Sequence, residues 1–199
     1  MKIENGKHYV ENIFNEIELH QISVTGCEFE ECKFVNCNFS EFNFIECKFI
    51  DCEFSLCNLN LIKLSGTKFF ETHFRESKIT GVNWTLLDWK SYTLSSPISF
   101  EACDLSFAIF NSLDLREMCM HNCKAHDVDF SECDLTGSDF YQTDFQESDF
   151  SRSKLNKCSF AESINYHINP LECSIEGARF SSPEVLTLLR PFNIKIDYD

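Results

Sequence analysis

Positive charge is scarce in this 199-residue chain: 17 Lys and Arg stand against 32 Asp and Glu, a formal net charge of −15. Phosphate binding needs the opposite sign, so direct nucleic-acid binding is not expected and a basic protein partner is. A membrane-spanning run is also missing, because no stretch is long and apolar enough to cross a bilayer. The N-terminal MKIENGKHYVENIF carries charges where a signal peptide needs an apolar segment, which leads us to expect a cytoplasmic protein. Catalytic signatures are missing too: there is no GxSxG, Walker loop, GxGxxG or HExxH. The histidines, His8, His20, His73, His121, His126 and His167, are scattered, and none is visibly placed beside a nucleophile and an orienting carboxylate. No enzyme activity, cofactor or metal is expected.

What the chain has instead is a period of five. From Phe14 it runs through Leu19, Val24, Phe29, Phe34, Phe39, Phe44, Phe49, Phe54, Leu59, Leu64, Phe69, Phe74, Ile79, Trp84 and Trp89 to Leu94. The phase then slips by one, in residues 95–99. It resumes at Phe100 and continues through Leu105, Phe110, Leu115, Met120, Ala125, Phe130, Leu135, Phe140, Phe145, Phe150 and Leu155 to Phe160. Neither a 3.6-residue helix nor a two-residue strand alternation produces such a repeat. A chain that turns a corner every five residues, with one large side chain pointing inward from each side, does.

Two residues before most of the large positions the side chain is small or modest in size: Cys27, Cys32, Cys37, Cys47, Cys52, Cys57, Thr67, Thr72, Ser77, Cys103, Ala108, Cys123, Cys133, Ser138, Thr143, Ser148, Ser153 and Cys158. Eleven of the twelve cysteines, all but Cys119, fall at this inward position once Cys173 is included. There a thiol serves as a small hydrophobe. Cys119, His121 and Cys123 come nearest to a metal signature, but alternation sends Cys123 inward while its neighbours face solvent. Cys27 and Cys47, Cys32 and Cys52, and Cys37 and Cys57 would stack within disulfide range; parallel side-chain vectors and a reducing compartment weigh against such bonds.

CEFEE (27–31), CKFVN (32–36), CNFSE (37–41), CDLTG (133–137) and SDFYQ (138–142) read as repeat units. The pattern resembles the pentapeptide-repeat family, whose loose consensus is A(D/N)LXX, over roughly residues 14–163. That resemblance implies an all-β, right-handed quadrilateral β-helix with four pentapeptides per coil. Residues twenty apart should then stack, as Phe110, Phe130 and Phe150 do in sequence. With the slip taken as a one-residue insertion at a corner, that column extends back through Trp89, Phe69, Phe49 and Phe29. Its neighbour becomes Phe34, Phe54, Phe74, Leu94, Leu115, Leu135 and Leu155. About seven and a half coils at roughly 4.8 Å each give a rod about 36 Å long.

This register gathers Glu28, Glu30, Glu31, Asp51, Glu71, Asp88, Asp129, Glu132 and Asp149 on one acidic face, offset by Lys48, Lys68, Lys90 and Arg152. The next face, with Glu53, Glu76 and Glu117, comes out neutral. Within the family the chain resembles the Qnr-type quinolone-resistance and microcin-immunity proteins, and this resemblance implies an acidic rod that mimics DNA before DNA gyrase or another type II topoisomerase. A generic protein-binding scaffold with an unrelated partner is the alternative. Qnr-type relatives carry long loops, whereas here only the slip near 92–97 is visible.

The whole chain reads as one domain. Residues 1–13 are expected to cap the N-terminal end, 14–163 to form the coils, and 164–199 to supply a partial coil, a short helix and a tail. Ser182 as N-cap, Pro183 at the first helical position and Glu184 in the first turn predict a helix from Pro183 to Arg190 ended by Pro191. Leu186, Leu189 and Phe192 would plug the core. In Qnr-type relatives such a helix also makes a symmetric homodimer, so both a cap and a dimer are open here.

Overall fold

The computed structural model describes residues 2–17, 22–89 and 96–195. The chain winds as a right-handed quadrilateral β-helix whose four faces are parallel ladders. On face I, strands His8–Val10, Glu28–Glu30, Lys48–Ile50 and Lys68–Phe70 pair in sequence, each twenty residues beyond the last. Face II stacks Phe14, Phe34, Phe54, Phe74, Phe100 and Met120. Face III is built on Phe39, Leu59, Ile79 and Leu105, and face IV on Val24, Phe44, Leu64, Trp84, Phe110 and Phe130.

Because the central residue of every pentapeptide points inward, the four columns meet in one continuous core. Phe29 and Phe49 stack with ring centroids 4.8 Å apart and planes 8° from parallel, and Phe34 and Phe54 at 4.5 Å and 7°. Around each coil the rings meet edge to face, as Phe29 does Phe34 at 72°. Both arrangements suit the aromatic quadrupole better than a face-to-face sandwich in all directions would.

The small inward residues do more than fill space. Cys133 Sγ donates to Phe110 O at 3.1 Å, Thr143 Oγ1 to Met120 O at 2.8 Å and Ser153 Oγ to Phe130 O at 2.6 Å. Each gives a buried carbonyl of the preceding coil a side-chain donor; Phe110 O and Phe130 O accept it beside the N–H of Leu113 and of Cys133. Cys, Ser and Thr therefore interchange here because each is small and carries a donor. Eleven cysteines are buried and Cys119 is exposed, as the period requires.

The register beyond Trp89 differs from the one expected. Asp88 N–H still bonds Thr67 O at 3.1 Å in the twenty-residue spacing, but Phe74 lies opposite Phe100 and Asn83 opposite Ile109, twenty-six residues on. The insertion is six residues rather than one. A slip of one in phase is equally a slip of six, since adding a whole pentapeptide leaves the period of five intact. The consequence is a rotation of every later column by one face: Phe110, Phe130 and Phe150 stack above Trp84 on face IV, while Asp114, Asp134 and Lys154 carry on face I. Leu94 and Lys90 lie outside the described residues, as do Leu19 and His20.

Both ends also depart from expectation. The coils begin before residue 14, with Tyr9 stacked on Phe29 at 5.2 Å. At the other end Phe180 stacks on Phe160 at 5.2 Å, and the chain then forms a 3₁₀ helix, Glu184–Phe192. The expected short helix is present, but Pro191 does not end it: Pro191 lies inside it, and Asn193, in the left-handed region, closes it by donating to Arg190 O. Pro183 takes the N-cap position, so Ser182 does not. Leu188, rather than Leu186 and Leu189, packs on the core, and Phe192 is exposed.

Candidate functional site

Nearly every pentapeptide ends on a residue in the left-handed region, which swings the chain around the corner. Glycine suits that conformation, yet Glu11, Glu31, Asp51 and Glu71 occupy it at the corner between faces I and II, with φ of 55°, 52°, 50° and 48°. Their backbones are pinned by the coil above, Glu11 N–H donating to Glu30 O, Glu31 N–H to Ile50 O and Asp51 N–H to Phe70 O, each at 2.9 Å. The four carboxylates thus project from one straight edge, spaced about 4.8 Å apart. All are exposed, and none has an ion-pair partner among the described residues. At that spacing neighbouring charges repel by about 0.9 kcal/mol even at water's dielectric constant. Stability alone does not account for such a ladder.

The nine acidic residues singled out in the sequence separate into three groups. Glu31, Asp51 and Glu71 form the unpaired ladder. Glu28, Glu30 and Asp88 share face I but are engaged, by Lys48 at 3.0 Å, His8 at 3.2 Å and Lys68 at 3.2 Å. Asp129, Glu132 and Asp149 sit on face IV, moved there by the six-residue insertion. Asp129 accepts from Ser131 N–H at 2.9 Å and Asp149 from Ser151 N–H at 2.7 Å, so their carboxylates serve the backbone. Arg152 binds Glu132 at 2.8 Å and holds its carboxyl below the usual value.

Above Glu71 the ladder is broken by Pro97 and continues at Glu117, whose φ is 61°. A groove of about 300 Å³ opens there, lined by Glu71, Thr72, His73, Ser96, Pro97, Ile98, Ser99, Glu117 and Cys119. Within it His73 Nδ1 lies 2.6 Å from Ser99 Oγ. The sequence hides this pair, because the two residues become neighbours only through the twenty-six-residue register. The nearby N–H groups of Thr72, His73 and Phe100 already donate to Pro97, Cys52 and Cys119 carbonyls, so they are not free to hold an oxyanion.

Among the described residues no group of three or more His, Cys, Asp or Glu is placed to hold a metal ion. Cys123 points inward and Cys119 outward, while His121 Nε2 faces Asp139 at 3.2 Å. No helix among them is long and apolar enough to cross a membrane. A second groove, of about 280 Å³, runs along the outer side of the terminal 3₁₀ helix between Pro183, Leu186, Leu189, Arg190 and Ile194.

The family model for the pentapeptide repeat region matches residues 27–97 and 96–180. The chain belongs to the pentapeptide-repeat family. No curated protein sequence matches it. Among solved structures, this pentapeptide-repeat protein is similar to a trypsin-treated form of QnrB1, a plasmid-mediated fluoroquinolone resistance protein. The TM-score is 0.61 at 15% identity, covering 96% of this chain and 99% of that one. It is also similar to HetL, a pentapeptide-repeat protein involved in heterocyst differentiation regulation from the cyanobacterium Nostoc sp. strain PCC 7120, with a TM-score of 0.51 at 13% identity over 89% of this chain and 85% of that one. At such identities the likeness is one of fold.

Proposed function

We propose that this pentapeptide-repeat protein is a non-enzymatic, cytoplasmic docking rod that uses the corner ladder of Glu11, Glu31, Asp51 and Glu71 to engage a basic protein surface, that of DNA gyrase or another type II topoisomerase. The observation that carries the reading is the row of unpaired carboxylates at constant spacing on a rigid edge. Such an edge presents charge as one strand of a nucleic acid does, at about 4.8 Å per charge against about 3.4 Å per phosphate along a strand. The groove beside Glu71 and Glu117 would receive a lysine or arginine side chain between two carboxylates. The groove along the terminal 3₁₀ helix, where Leu186, Leu189 and Ile194 lie beside Glu184, Thr187 and Arg190, fits a homodimer contact that would double the rod.

A gyrase supercoiling assay with and without a quinolone tests this reading. Protection or inhibition is expected from the wild-type protein and not from the Glu31→Lys, Asp51→Lys, Glu71→Lys variant. A second reading, a scaffold for an unrelated basic partner, draws on the shortness of the ladder: its four carboxylates span only about 14 Å of the rod. In that case both supercoiling curves stay unchanged.

A further inference from the structure

The corner between faces III and IV, diagonally opposite the acidic ladder, breaks the same rule in a different way. Its column reads Glu41, Leu61, Gly81, Phe107 and Asp127 in successive coils. Leu61 and Phe107 hold φ of 54° and 63° and are 53% and 61% exposed. A bulky residue in the left-handed region is strained, by roughly 1–2 kcal/mol, and a Leu or Phe that is more than half exposed recovers only part of that through burial. Glycine fills this corner at 81, and a Cβ there would lie 2.6 Å from Leu61 Cδ2, so the Leu61 side chain lies across bare backbone. Ile109, 39% exposed and two residues beyond Phe107, widens the patch. Glu41 and Asp127 close its two ends, and neither has an ion-pair partner among the described residues.

From this we propose a second docking site, for a helical segment of a partner protein whose apolar residues are flanked by lysine or arginine. The match is one of order and spacing. Along the rod axis the column runs anion, apolar, gap, apolar, anion, at about 4.8 Å per step. A helix rising about 1.5 Å per residue and laid along that axis places positions i, i+3 and i+10 over Glu41, Leu61 and Phe107, and i+14 about 2 Å past Asp127, within reach of a long cationic side chain. At 3.6 residues per turn these four positions share one face. Cations at i and i+14 with large apolar residues at i+3 and i+10 would meet both carboxylates and both side chains, and a small residue midway would clear Gly81. Because this corner lies on the other side of the rod from the ladder, one molecule can hold two partners at once.

The test uses a fluorescein-labelled peptide with Lys, Leu, Leu and Lys at those four positions and a scrambled peptide of the same composition, read by fluorescence anisotropy. The wild-type protein is expected to bind the patterned peptide at least tenfold more tightly. Leu61→Asn with Phe107→Asn should abolish that preference without lowering the melting temperature, since Asn accepts the left-handed conformation. Glu31→Lys, Asp51→Lys, Glu71→Lys should leave the preference intact, which separates this site from the acidic ladder. Equal affinity for the two peptides, a preference surviving in the Asn variant, or its loss on ladder reversal would overturn the proposal. So would a melting temperature several degrees lower in the Asn variant, because the two side chains would then be serving the fold.

Discussion

Phe74 and Phe100 lie opposite each other on face II, twenty-six residues apart in sequence, with ring centroids 5.3 Å apart and planes 21° from parallel. Everything beyond Trp89 takes its face from this pairing. A one-residue insertion would have set Phe110 over Trp89, on face I; instead Phe110 stacks on Trp84 at 5.5 Å and 6°.

A double-mutant cycle reads this register directly. Phe74→Leu and Phe100→Leu should couple by about 0.5–1.5 kcal/mol, the range for an aromatic pair beyond its burial. Phe74→Leu and Phe130→Leu, on different faces and distant coils, should be additive. Urea denaturation of the three single and two double variants measures both, and coupling in the second pair alone would contradict the register.

Core and surface aromatics should differ sharply in cost. Phe130 is fully buried between Phe110 and Phe150, so Phe130→Ala should destabilise by roughly 3–5 kcal/mol. Phe70 points outward beneath the Lys48 ammonium, 5.5 Å from its ring, and Phe70→Ala should cost far less. Equal losses in a denaturant series would be incompatible with this inward and outward alternation.

Acidic residues should divide by what their carboxylates touch. Asp129→Ala and Asp149→Ala each remove the acceptor for a backbone N–H two residues on, and should lower stability by about 1–2 kcal/mol. Reversing Glu31, Asp51 and Glu71 to Lys should leave the melting temperature unchanged while abolishing binding of a basic partner. The control reversal of Glu16, Glu53 and Glu76 should spare that binding. The wild-type interaction should weaken as salt rises, because charges separated by more than about 10 Å are screened at 0.1 M. Calorimetric titration at several salt concentrations tests the three binding expectations, and thermal and urea denaturation test those on stability.

The buried thiols predict an alkaline limit to stability. Burial pushes Cys52, Cys133 and Cys158 each up to about 12, whereas an unfolded thiol ionises near 8.5. Above the lower value the unfolded chain has released protons that the folded one retains. Stability is therefore full below about pH 8.5 and falls as pH rises toward 12, by about 1.4 kcal/mol per unit for each thiol. Denaturation curves at pH 8, 9.5 and 10.5 should show the decline. It should be shallower with all three replaced by Ala, which position 108 already carries. At neutral pH Cys119 should react with a maleimide well before the other eleven.

The sequence alone determined the solenoid, its inward columns and the burial of eleven cysteines. Each of these follows from local chemistry repeated every five residues, where Phe29 is inward because of its own pentapeptide whatever lies above it. The unpaired ladder was only half legible. Glu31, Asp51 and Glu71 stood out as acids on one edge, but Glu11 lay in the stretch read as a cap, and Glu117 fell among residues read as neutral. Tertiary structure decided which coil position follows which. A period of five fixes an insertion only to within a multiple of five, while a face is assigned within a turn of twenty, and the four sides of the square are too alike locally to tell apart. That is why Asp129, Glu132 and Asp149 moved to another face, why His73 met Ser99, and why Leu61 and Phe107 came to share a corner. Only the stacked backbone, with Phe100 seated on Phe74, resolves the ambiguity.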